Sequence, residues 1–163
     1  SALDTFRSLN AGRLGAIVDG RVVVERRRGA RRQVHGATRA AERVHLITCH
    51  VAMDGTLIDA AVEAGADGIV VAATGAGNTA AAVLEAGVRA IGAGIPVVLT
   101  SRVPSGAAGT SYAFPGGGAT WVRVGALLSG TLGGPKARIA LAVGIGAGLS
   151  RDNLAMLLAG PDA

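Results

Sequence analysis

Gly68-Ile-Val-Val-Ala-Ala-Thr-Gly-Ala-Gly-Asn-Thr-Ala80 places an amide-bearing side chain just past an apolar strand, behind a turn with two glycines. Gly75 and Gly77 accept positive φ without a side-chain penalty, so backbone there can approach a small polar ligand or another subunit closely. Asn78 follows at the expected start of a helix, where its carboxamide can cap free N–H groups. The same residues satisfy a permissive dinucleotide fingerprint. A nucleotide-binding module using the Gly75–Ala80 turn is therefore the runner-up reading. Against it, no carboxylate closes the next strand, where Arg102 stands instead.

Hydrolytic chemistry needs a nucleophile with its base, and the chain offers neither in a recognisable pattern. No serine sits in a Gly-x-Ser-x-Gly elbow. His35, His45 and His50 fall in a linker, inside a strand and at that strand's end, without metal-ligand spacing, so no metal site is expected. Cys49 is the sole cysteine and reads as a small buried residue, with no disulfide framework. No Asp or Glu lies between Glu85 and Asp152, which leaves the long loop after residue 101 without an acid–base group. The expectation is no catalytic residue in this chain and no cofactor.

Alternating strand and helix patterns must position the turn. Ala16-Ile-Val and Val22-Val-Val flank Asp19-Gly20, a strong hairpin signal. Val44-His-Leu-Ile-Thr-Cys is a strand, and 56–64 is a helix carrying Leu57, Ile58, Ala61 and Val62. Ile69–Ala73 is a strand, and 79–93 is a helix with Val83, Leu84, Val88 and Ile91 on one side. Pro96–Thr100 is a third strand, Trp121–Val124 a short fourth. Pro135 opens a helix continued by Ile139, Leu141 and Val143, and Ser150-Arg-Asp-Asn caps a last one over Leu154–Leu158. Continuous apolar strands joined by helices give an α/β fold: a small doubly wound parallel sheet with helices on both faces, preceded by a β-hairpin and linker. Residues 1–42 form the linker, with its hairpin and Arg-rich segment, and 43–163 the domain.

Half of the 163 residues are apolar, enough for one core, and the longest greasy run, Ile139–Leu149, is too short and glycine-broken to span a bilayer. The net charge of +5 is concentrated in Arg26, Arg27, Arg28, Arg31 and Arg32. That cluster lacks interleaved aromatics, so neither a nucleic-acid nor a membrane partner is expected. The lone cysteine favours the cytoplasm. Ser1-Ala-Leu-Asp-Thr-Phe has the character of a protein's interior sequence, so a preceding domain is expected.

An ordered set of segments resembles the C-terminal domain of the bacterial-type L-asparaginases, the threonine amidohydrolases. Its carriers are Phe6-Arg-Ser-Leu-Asn-Ala-Gly-Arg-Leu-Gly15, Met53-Asp54, Ala66-Asp-Gly-Ile-Val70, Thr74-Gly-Ala-Gly-Asn78, Pro96-Val-Val-Leu-Thr-Ser-Arg-Val-Pro-Ser-Gly106, and Gly125-Ala-Leu-Leu-Ser-Gly-Thr-Leu132 with Lys136-Ala-Arg138. The resemblance implies hydrolysis of L-asparagine to L-aspartate and ammonia in a longer enzyme. There the nucleophilic threonine lies in an N-terminal domain absent from this chain, and sites form between neighbouring subunits of a homo-oligomer. It further implies that Asn78 binds substrate, supported by Gly75 and Gly77. Some secreted members carry a glutamate in the loop after Ser-Arg-Val-Pro; here residues 106–118 hold no acid, and Tyr112 is expected at that place. Arg13 stands where the family usually has proline.

Overall fold

The computed structural model describes residues 7, 9–10, 12–27 and 33–159. An antiparallel hairpin, β1 (Gly15–Val18) and β2 (Arg21–Val24), precedes the main sheet. The sheet is four parallel strands in sequential order: β3 (Val44–Thr48), β4 (Gly68–Ala73), β5 (Val97–Ser101) and β6 (Leu127–Leu128). Between them run α1 (Thr56–Glu63), α2 (Ala81–Gly92) and the short α3 (Gly118–Arg123), and after β6 follow α4 (Gly134–Gly146) and α5 (Arg151–Ala159).

Strand periodicity divides the core in two. Ile47, Ile69, Val71, Val97 and Leu99 point to one face, where Ile58 of α1, Val83 and Ala86 of α2 and Trp121 of α3 cover them. Val44, Val70, Val98 and Leu127 point to the other, under Leu141 and Ala142 of α4 and Leu154 and Leu158 of α5. The register Val44↔Gly68, Ile69↔Val97 and Val98↔Leu127 keeps each set aligned across the strands. Every residue of β4 and β5 is buried, which is why both are unbroken apolar runs. The helices thus flank both faces, as expected, with the second layer supplied by α4 and α5 after the last strand.

Several local expectations are corrected. Trp121–Val124, expected as a strand, is helical up to Arg123. Thr120 Oγ1 donates to Gly117 O at 2.6 Å, and Gly117 N–H donates to Phe114 O, so the aromatic and β-branched run starts from a tight turn. The strand slot beside β5 goes to Leu127–Leu128 instead. Leu57, Val88 and Ile139, expected on apolar helix faces, are exposed; the smaller Ala61, Ala86, Ala90 and Ala137 are buried in those helices. Alanines beside Ile58, Val83 and Leu141 let the helices sit close to the sheet, so only some of the large side chains at helical spacing face it.

Candidate functional site

The carboxyl ends of β3 to β6 feed four loops along one rim: 49–55, 74–80, 102–117 and 129–133. In open parallel sheets this rim is where ligands gather. The 74–80 loop is held by its own backbone. Thr74 N–H donates to Asn78 O at 2.9 Å and Thr74 Oγ1 donates to the same oxygen at 2.8 Å. In return Gly77 N–H and Asn78 N–H both donate to Thr74 O, at 3.0 and 2.9 Å. Closing so small a ring requires φ of +51° at Gly75 and +104° at Gly77, which explains why both positions are glycine.

Asn78 is not the helix cap expected from its position. The N-cap of α2 is Ala80, without a side-chain bond, and Thr79 before it is spent on a neighbouring loop. Asn78 is instead half-buried, and its Oδ1 is inaccessible to solvent with no hydrogen-bond partner. A buried carbonyl oxygen without a donor costs about 1–3 kcal/mol. His45 Nε2 on β3 is the other such atom among the described residues, and it lies opposite Ile69 near the start of the strands rather than at the rim.

The long loop is fastened to this turn at three points. Ser101 Oγ donates to Gly75 O and accepts from Val103 N–H at 3.2 Å. Gly109 N–H donates to Ala76 O and Thr79 N–H to Gly116 O, each at 2.9 Å. Tyr112 therefore sits on a span tied at both ends to the Asn78 turn. The residue is 47% exposed and its ring stands beside that of Phe114, centroids 6.0 Å apart. Below, the buried Trp121 donates from Nε1 to Thr79 Oγ1 at 3.0 Å, linking the hydrophobic core to the same turn. Thr79 carries no signal in the sequence beyond its place next to Asn78.

With the N–H groups of Gly77, Asn78 and Thr79 all engaged inside the fold, this part of the turn has no donors to spare for a pyrophosphate. A nucleotide site could therefore not draw on these three donors; the first N–H groups of α2 are not among them. Two further rim hydroxyls are occupied: Thr100 Oγ1 and Ser129 Oγ both donate to Leu132 O, at 2.7 and 2.8 Å. None of these hydroxyls is hydrogen-bonded to a histidine. His50 Nδ1 lies 2.8 Å from Val51 O. Cys49 is buried, and burial pushes its thiol up to about 11, so it is no thiolate nucleophile at neutral pH. Asp54 is held below the usual carboxylate range, chiefly by accepting the Thr56 N–H at 3.0 Å, which serves the start of α1.

Hollows on the described surface lie along β1 and β2, beside α5, and between Asn10 and Lys136; none of these is lined by Asn78 or Tyr112. No group of three potential metal ligands occurs among the described residues, and no described helix is long and apolar enough to cross a membrane.

The fold is thus a parallel α/β domain with a buried, unpaired carboxamide oxygen at the rim of its sheet. Residues 43–158 match the Glutaminase/Asparaginase C-terminal domain, and the chain belongs to that family. It is 30% identical over 143 residues to an L-asparaginase of Bacillus licheniformis, covering 88% of this chain and 44% of that protein. It is 35% identical over 112 residues to a probable L-asparaginase of Deinococcus radiodurans, covering 69% of this chain and 34% of that protein. The chain thus spans less than half the length of the relatives it matches, and in the family this domain follows an N-terminal one.

Proposed function

We propose that this domain serves an L-asparaginase that hydrolyses the side-chain amide of L-asparagine to L-aspartate and ammonia. The N-terminal domain carries the nucleophilic threonine, and this domain supplies one wall of a neighbouring subunit's site and helps hold the oligomer together. The observation that carries the reading is Asn78 Oδ1, an acceptor without a donor, held at the sheet rim by a five-residue ring. A carboxamide offers two donors and an acceptor. It suits the charged amino-acid end of the substrate, or the threonine-bearing segment of the partner domain.

Ring closure through Thr74 and the ties to Ser101, Gly109 and Gly116 fix the turn before any ligand arrives, so little ordering entropy is left to lose on binding. Tyr112 and Phe114 give that wall an aromatic face where some relatives carry an acid. The substrate ammonium therefore draws its counter-charge from elsewhere in the enzyme.

The test uses the longer protein with an N-terminal domain. Asn78→Ala is expected to lower kcat/KM for asparagine by about 5- to 150-fold, the equivalent of ~1–3 kcal/mol. The 163-residue chain alone is expected to release no ammonia. Wild-type kcat/KM in the variant would refute the role of Asn78; turnover by the chain alone would refute the composite site.

A further inference from the structure

The hairpin is thinly covered among the described residues. Ile17 and Val22 are 77% and 76% exposed, and Val24 is 66% exposed. Among the described elements its only substantial packing is strand against strand, and an isolated two-stranded hairpin is marginal in water. The connection Asp19-Gly20, with φ of +48° and +74°, is a two-residue turn of the type that matches strand twist. Such a turn makes Val18 and Arg21 a hydrogen-bonded pair, so Arg21, Val23 and Glu25 turn their backbone groups toward β1; the Glu25 N–H to Leu14 O bond of 2.9 Å has that phase. The N–H and C=O groups of Val22 and Val24 consequently face outward along a free edge.

That edge is lightly protected: it is short and opens on Arg21, and its ladder bulges only past Val24, where the Glu25 and Arg26 N–H groups share Leu14 O. Between Arg21 and Val24 there is no lysine, proline or bulge, only β-branched valines after one arginine. Arg21-Val-Val-Val-Glu25 is also antisymmetric in charge about its middle residue. Turned around a two-fold axis at Val23, it pairs with itself: Arg21 meets Glu25, Val22 meets Val24, and the outward-facing groups of Val22 and Val24 complete the hydrogen bonds. An unrelated strand would match this order only by coincidence.

We infer that β2 is a docking edge for a second copy of this chain, the two β2 strands pairing antiparallel about Val23 to make one four-stranded antiparallel sheet. Glu25, already bound by Arg13 through two hydrogen bonds of 2.9 and 2.6 Å, then bridges to Arg21 of the second copy. Val22 and Val24 form cross-strand apolar pairs, the unit of sheet stabilisation. The inference gives a surface to the self-association in the proposed function and rests on that part of it.

Because Cys49 is buried, a cysteine placed on β2 is the accessible thiol of the chain. Light scattering at tens of micromolar is expected to give a dimer. Mild oxidation of Val23→Cys is expected to trap a disulfide-linked dimer, while Val24→Cys, displaced from the axis, stays largely unlinked because the two sulfurs cannot meet. Arg21→Glu, which sets like charges opposite each other twice per dimer, is expected to weaken dimerisation about tenfold with Trp121 emission unchanged. A monomer overturns both the inference and the self-association it rests on. A dimer in which Val23→Cys links no faster than Val24→Cys overturns the β2 edge alone. Protection of Val23→Cys from thiol reagents only when an N-terminal domain is attached gives the edge to that domain and also overturns the inference.

Discussion

Gly87 and Gly92 lie in the same helix and make opposite predictions. Replacing a helical glycine by alanine ordinarily stabilises by about 0.5–1 kcal/mol, because the unfolded chain loses freedom. A β-carbon at Gly92 would meet nothing within 4 Å, so Gly92→Ala is expected to gain roughly that amount. At Gly87 a Cβ would fall within the van der Waals radii of Cζ3 and Cη2 of Trp121, a side chain with no solvent exposure. Overpacking of this kind costs about 1–3 kcal/mol. Since the propensity gain is nearly common to both, the difference between the variants isolates the clash, and Gly87→Ala should be the less stable by about 1–3 kcal/mol. Urea unfolding followed by fluorescence reads this directly, because Trp121 is the sole tryptophan. With a slope of about 1.5 kcal/mol/M, the two midpoints should differ by about 0.7–2 M. Gly87→Ala should also shift the native emission, as the ring must move. Equal midpoints, or a more stable Gly87→Ala, would refute the packing account of why α2 has a glycine there.

Three further outcomes are expected. Asn78→Ala should leave the stability of this chain unchanged or raise it by up to about 1 kcal/mol in urea unfolding, since it removes a buried acceptor without a donor; a clear loss would show that Asn78 is structural. Ser101→Ala should destabilise by about 1–3 kcal/mol, because it removes the tie to Gly75 O and leaves Val103 N–H without its acceptor; an unchanged midpoint would refute that role. Cys49 has its thiol raised from 9.0 to about 11 by burial, so the folded chain holds a proton that the unfolded chain releases. The stabilisation is fully present below about pH 9 and lost as pH rises toward 11, by about 2 kcal/mol relative to Cys49→Ala; parallel pH profiles for the two proteins would refute it.

The alternation of strands and helices was legible because β4 and β5 are buried on both faces and so must be continuous apolar runs. The hairpin was legible because Asp-Gly tolerates the positive φ its turn demands. Helix faces were legible in part: Ile58, Ala61, Val83 and Leu141 are buried as their spacing suggests, but alanines share those faces and Leu57, Val88 and Ile139 face outward. Trp121 misled for a related reason. Its β-like neighbours suggested a strand, but its ring is accommodated by Gly87 of α2, a contact between residues 34 positions apart. At the rim, the Thr74–Asn78 motif was visible, but the ties to Ser101, Gly109 and Gly116 are tertiary. They also displaced Asn78 from its expected capping role.

Those ties bear on the proposal that the domain acts together with an N-terminal one. An independent hydrolase keeps a hydroxyl or thiol free to attack and a base beside it. Here Thr74, Thr100, Ser101 and Ser129 each donate into a backbone carbonyl, and the Cys49 thiol is held protonated by burial. Such bonding makes the rim stiff, a property suited to positioning rather than to attack. The Asn78 Oδ1 is the exception: its acceptor is unsatisfied although the backbone around it is closed by five-residue hydrogen bonding. In the proposed function, the donor for this buried acceptor arrives from outside the chain. A substrate ammonium and an N–H or O–H of a partner domain both supply one, and comparing Asn78→Ala with Asn78→Asp in the longer enzyme separates them. An ammonium bound directly is held at least as well by the carboxylate, so KM falls or stays level in Asn78→Asp. A neutral donor already paired within the partner's own network gains nothing from that charge, and kcat then falls in both variants.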